Sequence, residues 1–179
     1  MTSIPSPDTD GLIWGYTQSF WHVLRDGAPP VPPVEHACKW FGFLPSTSFE
    51  VAQGSFGRLT KDVLCDPSSL TLCHRAKLAL APLYQAPDRL VVVFYGEISQ
   101  QDNLRALIQR HAKAERKRLL SEGHVKSRDG FLAKWTFKTE AQTRLELETK
   151  TSPAHVSLMM QMMDLESQLS RPARARKPK

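Results

Sequence analysis

Three cysteines and the histidines beside them are the residues of this 179-residue chain that could bind a metal ion. Cys65 precedes the pair Cys73-His74, and His36 lies two positions before Cys38. Four such ligands could form a tetrahedral zinc site, but the cysteines of a zinc pair usually have about two to four residues between them. Cys65 and Cys73 are further apart than that. We therefore interpret the cysteines as buried thiols and the histidines as incidental, and we expect neither a metal site nor a cofactor.

No motif for covalent or metal-assisted catalysis occurs in the sequence. It contains no glycine-rich phosphate loop, no Gly-x-Ser-x-Gly elbow and no His-Glu-x-x-His motif. Its acidic residues are sparse and mostly alternate with bases at outward positions of predicted strands. No sequence signature pairs a nucleophile with a base. We expect a protein that is not an enzyme.

The clearest predicted helix spans residues 100–121, and its two sides differ in chemistry. Leucine, isoleucine and alanine side chains share one arc of the helical wheel. The cations lie on the opposite arc, with the last of them at the apolar edge: Arg105, Arg110, Lys113, Arg116, Lys117 and Arg118. Clustered cations act together on a multivalent anion and release counterions when they bind it. The helix therefore predicts a polyanion-binding surface, and the alternative is a solvated outer face.

A second basic cluster lies at the end of the sequence. Residues 171–179 carry five bases and no acid. The bases are Arg171, Arg174, Arg176, Lys177 and Lys179. Such a segment binds nucleic acid or acidic lipid, or acts as a nuclear import signal. We expect a disordered basic tail with one of these roles over residues 170–179, and the alternative is a solubilising terminus.

A proline-rich stretch near the N-terminus is the third candidate for partner binding. Its prolines are Pro29, Pro30, Pro32 and Pro33. A preformed polyproline helix loses little entropy when it docks into an aromatic groove, although the same stretch could be a stiff spacer. Trp14 and Trp21 lie before it, in a segment predicted as a short helix or as an aromatic anchor at an interface.

Four of the chain's five methionines lie in a predicted helix over residues 153–169. Apolar stripes on two sides of this helix indicate that it is either deeply buried or shared with a partner. Methionine suits adaptable interfaces because its thioether side chain is flexible. Core packing is the preferred interpretation, and self-association through this helix is the alternative.

The rest of the pattern predicts the elements that must position these groups. Apolar runs predict strands over residues 38–44, 48–51, 55–64 and 89–98, and the last is continuous enough to be central in a sheet. A helix is predicted over 69–84, capped near Asp66, and alternation over 131–138 and 144–150 predicts a β-hairpin.

These elements predict an α+β fold, with a mostly antiparallel sheet of about five or six strands packed with two or three helices. We expect a flexible proline-rich arm over residues 1–35, a single domain over 36–169 and the basic tail after it.

Charge and cysteine content indicate the setting of the protein. The formal net charge is +6, with ten bases against four acids over residues 102–138. An odd number of cysteines favours a reducing cytosolic or nuclear compartment. The first residues lack the basic stretch followed by an apolar run that is typical of a signal peptide, and the sequence has no run of about 18 apolar residues. We therefore expect any membrane contact to be peripheral.

The order of these features resembles that of rhabdovirus matrix proteins, which are small, basic and non-enzymatic. Residues 29–34 stand where the family's proline-rich late-domain motif would lie, but they lack the tyrosine of a Pro-Pro-x-Tyr motif. The elements predicted over residues 49–98 are similar in order to the family's core, and those from residue 131 onward are similar to its C-terminal part. The basic charge lies toward the C-terminus, whereas in that family it is often N-terminal. The resemblance implies membrane association, self-association and a role in viral assembly.

We therefore expect a basic structural protein that bridges an anionic membrane surface and a nucleoprotein, with a host domain that binds the proline stretch as a further partner. The alternative is a nucleic-acid-binding protein, either an RNA-binding regulator or a ribonucleoprotein subunit. It would grip phosphates with the helix at 100–121 and the tail, while an aromatic side chain such as Trp135 stacks on bases.

Overall fold

The computed structural model describes residues 11–17, 19–28, 30–80 and 87–150. Six strands form one sheet in this part of the chain: β1 (Leu12–Tyr16), β2 (Phe20–Arg25), β3 (Ala37–Pro45), β4 (Arg75–Ala79), β5 (Arg89–Glu97) and β6 (Thr136–Thr139). They are accompanied by three α-helices: α1 (Phe49–Leu64), α2 (Gln101–Ser121) and α3 (Glu140–Lys150). The predicted α+β class and the predicted size of the sheet are confirmed. None of these helices is long and apolar enough to cross a membrane.

All strand pairs are antiparallel, in the order β1-β2-β4-β5-β3-β6. β5 lies between β4 and β3, so the prediction of a central strand at residues 89–98 is confirmed. α1 and α2 pack side by side on one face of the sheet, where Trp14 of β1 meets Phe56 of α1 and the Trp40 indole of β3 donates to the Gln101 carbonyl of α2. α3 lies on the other face of the sheet. Neighbouring residues of a strand point to opposite faces, and Lys39, next to Trp40 in β3, forms an ion pair with Glu140 of α3 at 3.4 Å.

The main core fills the space between the sheet and the two packed helices. Phe56 and Leu59 of α1, Phe94 of β5 and Leu104 of α2 are fully buried there. Gly96 of β5 is tightly packed, and a Cβ atom there would lie 2.5 Å from the Leu72 carbonyl oxygen. A glycine is therefore required at this position by the packing.

The prediction of strands over residues 48–51 and 55–64 is wrong, because one helix, α1, spans them. The Ser48 hydroxyl caps its N-terminus by accepting from the Val51 amide. Ala52, Phe56, Leu59 and Val63 recur at helical spacing and are all buried. Gly54 and Gly57 suggest a strand with breaks, but packing of the apolar stripe on the sheet outweighs their low helix propensity.

The segment that contains Trp14 and Trp21 is also not a helix. It forms the hairpin β1–β2, and β2 pairs along its other edge with β4. The turn is held by Thr17, whose amide donates to the Phe20 carbonyl at 2.9 Å. The sheet thus begins at Leu12, within the residues assigned from the sequence to a flexible arm.

The helix predicted over residues 69–84 is replaced by a 3-10 turn (Pro67–Thr71) and β4. Asp66 does cap this turn, as predicted, by accepting from the Ser68 amide. In β4, Ala76 and Leu78 are buried while the residues between them face the other way. β2 and β5 flank this segment and pair with it, and a helix at this position would leave the facing backbone groups of β2 and β5 unpaired.

The hairpin predicted over residues 131–150 is wrong, because only residues 136–139 of it form a strand, β6. Phe131, Leu132 and Trp135 are all buried, so the segment before β6 does not alternate as a strand does. α3 then replaces the second strand. Thr139 and Gln142 begin it with reciprocal caps, each side chain accepting from the other residue's amide at 3.0 Å. The predicted helix at 153–169 and the tail at 170–179 lie outside the described residues.

Candidate polyanion-binding surface

α2 separates a buried side from a charged side, as its periodicity predicts. Leu104, Leu107, Ile108, Ala112 and Leu119 are buried against the sheet and α1. The opposite side is solvent-exposed and carries the predicted cations, which the structure divides into two groups. The members of one group contact carboxylates of the protein, and the members of the other do not.

Glu115 holds two cations between α1 and α2. Its side chain is 6% exposed and accepts from Arg118 at 2.7 Å and from Arg58 of α1 at 3.1 Å. Burial would raise the pKa of Glu115, but hydrogen bonds from Arg118, Arg58 and Ser55 outweigh it and lower the pKa below its ordinary value. Arg118 also pairs with Glu122. The charge of Arg118 is therefore used to join the helices.

Replacement Glu115→Gln tests this junction. At neutral pH we expect a loss of about 2 kcal/mol of unfolding free energy, less than for a fully buried pair because both guanidinium groups touch solvent. The lowered pKa means that the stabilisation is present above the ordinary value of 4.5 and disappears as the pH falls through the folded-state pKa. Urea unfolding of both proteins across this range measures the difference. A difference that is constant with pH contradicts the role of the ionised carboxylate.

Arg110 is partly neutralised by Asp66. Its guanidinium lies 2.6 Å from the Asp66 carboxylate, which also contacts His111 at 2.8 Å. Hydrogen bonds from Ser68 lower the pKa of Asp66 most, followed by those from His111 and the charge of Arg110. Arg110 remains 60% exposed, so it belongs to the surface but contributes less positive field than an unpaired arginine.

Arg116 and Arg105 are fixed in place without losing their charge. Arg116 donates to the carbonyl oxygens of Phe131 at 3.0 Å and Ser127 at 2.7 Å, and so ties the turn after α2 to the helix. The Arg105 guanidinium lies 5.3 Å from the centre of the Trp40 ring. Neither contact supplies a negative charge.

Lys113 and Lys117 lie one helical turn apart and are exposed. Within the described residues, no carboxylate forms an ion pair with Lys113, Lys117, Arg105 or Arg116. We call these four residues the α2 basic face. Like charges at this spacing cost a helix a few tenths of a kcal/mol (about 0.3). Binding of an anion would remove that cost.

The predicted aromatic and proline contacts are placed differently. Trp21 is 7% exposed and meets Phe49 of α1, and Trp14 is half-buried against Phe56. Trp21 is therefore covered by α1 and cannot anchor the protein at an interface, whereas an interface role for the half-buried Trp14 stays a prediction. Trp135 is likewise buried at 9% exposure, and its indole donates to the Leu132 carbonyl, so it cannot stack on bases.

Part of the proline stretch lines a cleft of about 230 Å³. Pro30 and Pro32 line it together with Thr71, Leu72, His74 and Glu97. Pro30 and Pro33 are exposed, whereas Pro29 lies outside the described residues. A second cleft of about 570 Å³ lies beside α2 and includes Arg110 in its lining.

The thiols and His74 show the chemistry of buried groups. Burial raises the pKa of Cys38 to about 11 and that of Cys73 to about 12, so both stay protonated at neutral pH. Burial, together with the charge of Arg75, lowers the pKa of His74 to about 3. Cys65 is exposed. In the part of the chain that is described, no three potential metal ligands cluster.

A set of cation–aromatic pairs lies on the sheet face opposite α1 and α2 and was not predicted from the sequence. Arg75 lies 4.0 Å from the centre of the Tyr95 ring, and Lys77 lies 4.4 Å from that of Phe20. The period-two alternation of bases with apolar residues in β4 is the sequence signal for these pairs, although the same apolar residues also fit a helix. Tyr95 and Phe20 are buried, so these pairs stabilise the sheet face rather than present rings to a ligand.

No protein-family model and no curated protein matches this chain.

Proposed function

We propose that this protein is a non-enzymatic assembly protein, similar in kind to viral matrix proteins, that binds an anionic membrane surface through the α2 basic face and links it to a nucleoprotein. The observation that carries the proposal is that the cations of α2 fall into two groups, those paired with carboxylates and those that are not. Arg110 and Arg118 are held by carboxylates of the protein, whereas Lys113 and Lys117 are left exposed on the outer layer of the fold.

The geometry of the α2 basic face suits an extended anionic surface. Arg105 and Lys117 are separated by twelve residues, which is about 18 Å along a helix axis. α2 lies in the outer helical layer, so its cations can approach a flat array of headgroups together. Each cation near such a surface contributes about 1 kcal/mol. The four together therefore support weak, reversible and salt-sensitive binding.

Nucleic acid is the second candidate, because phosphates are also recognised by such cations. The version of this candidate that uses Trp135 loses its support, since that ring is buried. In the cation–aromatic pair between β4 and β5, Arg75 lies over the ring of Tyr95, and that ring is likewise buried. These observations favour the membrane over single-stranded nucleic acid, where stacking usually supplies a large share of the affinity.

Vesicle flotation with an RNA competitor tests the proposal. We expect the full chain to float with phosphatidylserine vesicles, to stay behind with neutral phosphatidylcholine vesicles, and to remain bound when excess RNA is added. High salt should release it, because the attraction is electrostatic. A chain that RNA strips from the vesicles, or that binds only RNA, belongs to the nucleic-acid class. A chain that binds neither contradicts both.

A further inference from the structure

The two edges of the sheet are not equivalent. β6 forms one edge with only four residues, is followed at once by α3, and carries Lys138, which pairs with Glu146 of that helix. β1 forms the other edge, and among the described residues no strand lies on its outer side. Natural sheets protect their edges with charged residues, short strands or covering elements. β6 is short and carries a charged residue, two of these devices.

β1 has no such device in its own sequence. Leu12–Tyr16 contains neither a charged residue nor a proline. Ile13 is 51% exposed and Tyr16 is 62% exposed, the two largest exposed fractions on the strands among the large apolar residues described. An uncharged, exposed apolar edge strand is a template for pairing with another strand.

The hydrogen bonds of the β1–β2 hairpin identify the backbone groups that point outward. Thr17 donates its amide to the Phe20 carbonyl, and the Gly11 carbonyl accepts from the Asp26 amide. Groups that face a neighbouring strand alternate along a strand, so the odd-numbered residues of β1 bond to β2. The amides and carbonyls of Leu12, Trp14 and Tyr16 therefore face away from the sheet.

We propose that β1 pairs with β1 of a second copy of this chain, antiparallel and centred on Trp14. This register places Trp14 opposite its own copy and Leu12 opposite Tyr16, so every outward group meets a partner. Ile13 lies across from Gly15 of the other copy and against the ring of His22. That ring occupies the space that a side chain at position 15 would take. The absence of charge in β1 lets two identical strands approach without repulsion.

The symmetry of this dimer has a consequence for α2. Two antiparallel strands of one sheet are related by a twofold axis perpendicular to the sheet, so the dimer has one continuous sheet with both helical layers on the same side. The dimer then carries two linked α2 basic faces, and two linked faces bind an extended anionic surface more tightly than one when both reach it. The dimer itself does not depend on the proposed function, because it rests only on the edge of the sheet.

Mass measurement of the full chain by light scattering tests the dimer. We expect a dimer at micromolar concentration. The double variant Ile13→Lys, Tyr16→Lys should have a dimer dissociation constant that is higher by about tenfold or more. The matched control Val31→Lys, Leu145→Lys adds the same charge at exposed apolar residues outside β1 and should remain dimeric. A monomeric wild-type chain overturns the proposal. Dimers that form only after residues 2–10 are removed also overturn it, since the chain's own N-terminus would then occupy the edge.

Disulfide trapping tests the register independently of mutant stability. Opposed residues of a hydrogen-bonded pair have Cα atoms about 5.5 Å apart, within reach of a disulfide. In a Cys65→Ser background, we expect Leu12→Cys and Tyr16→Cys proteins to form a mixed disulfide dimer when combined and oxidised. Each alone should remain reduced, because neither position opposes itself. A Tyr16→Cys homodimer, or no cross-link at all, contradicts the proposed pairing. Vesicle binding without any dimer would leave the proposed function intact.

Discussion

The triple variant Arg105→Gln, Lys113→Gln, Lys117→Gln should bind phosphatidylserine vesicles roughly a hundredfold more weakly than the wild-type chain. Each substitution removes about 1 kcal/mol of attraction to an anionic surface, and a loss of about 3 kcal/mol corresponds to that factor. Arg116 is left in place because its guanidinium holds the turn after α2 through two carbonyl oxygens. Its replacement would confuse loss of charge with loss of structure. The binding constant is measured by vesicle sedimentation over a series of lipid concentrations.

The matched control lowers the net charge by the same amount on other surfaces. Ser19→Glu, Thr136→Glu and Ala141→Glu change exposed residues of the β1–β2 turn, β6 and α3. Each variant protein has a formal charge three below the wild-type value of +6. If the control loses as much affinity as the triple variant, net charge rather than the α2 basic face governs binding. If neither loses affinity, the α2 basic face is not the membrane site.

Gly96→Ala should destabilise the protein by about 3 kcal/mol, at the upper part of the usual range for overpacking. A Cβ atom at this position would lie 2.5 Å from the Leu72 carbonyl oxygen and 2.6 Å from Cδ2 of Leu104. The first contact is with backbone, so a rotamer change cannot relieve it. β5 is paired on both sides and cannot move away without loss of its hydrogen bonds. Urea unfolding measures the change.

The same substitution at Gly54 is the control for Gly96→Ala. Gly54 lies in α1, and a Cβ atom there would meet only the end of the Arg58 side chain, at 3.3 Å. Alanine has the higher helix propensity, so Gly54→Ala should be neutral or stabilising by up to about 1 kcal/mol. An unchanged unfolding midpoint for Gly96→Ala would mean that β5 and Leu72 are not in contact in solution.

The elements predicted correctly are those whose patterns admit one interpretation. α2 has an apolar stripe sustained over 21 residues, and β5 has a continuous apolar run in which helical spacing is absent. The errors fall on short segments with ambiguous patterns. α1 contains two glycines that resemble strand breaks, while β4 has apolar residues that fit a helix as well as a strand. In α3 the capping pair Thr139 and Gln142 favours the start of a helix, whereas the alternation of Leu145 with charged residues favours a strand.

The α2 basic face illustrates the same division within one site. The helical wheel alone identifies its cations, because positions on a helix follow from the residue spacing. It even places Arg118 at the apolar edge, where that side chain is found bonded to Glu115. The wheel cannot identify which cations are neutralised. Arg110 is paired with Asp66, and Glu115 also binds Arg58, and these partners are far away in the sequence.

By itself, the sequence determined the composition class, the concentration of positive charge, the absence of catalytic motifs, the α2 amphipathic helix and the central strand. These properties depend on residue types and on local spacing. Only the tertiary structure decided that β1, β2 and β4 join the sheet, that Trp14 and Trp21 pack against α1, and which cations keep their charge exposed. The physical reason is that strand pairing, burial and ion pairing are contacts between distant residues. Their free energy outweighs local propensity once the chain is compact.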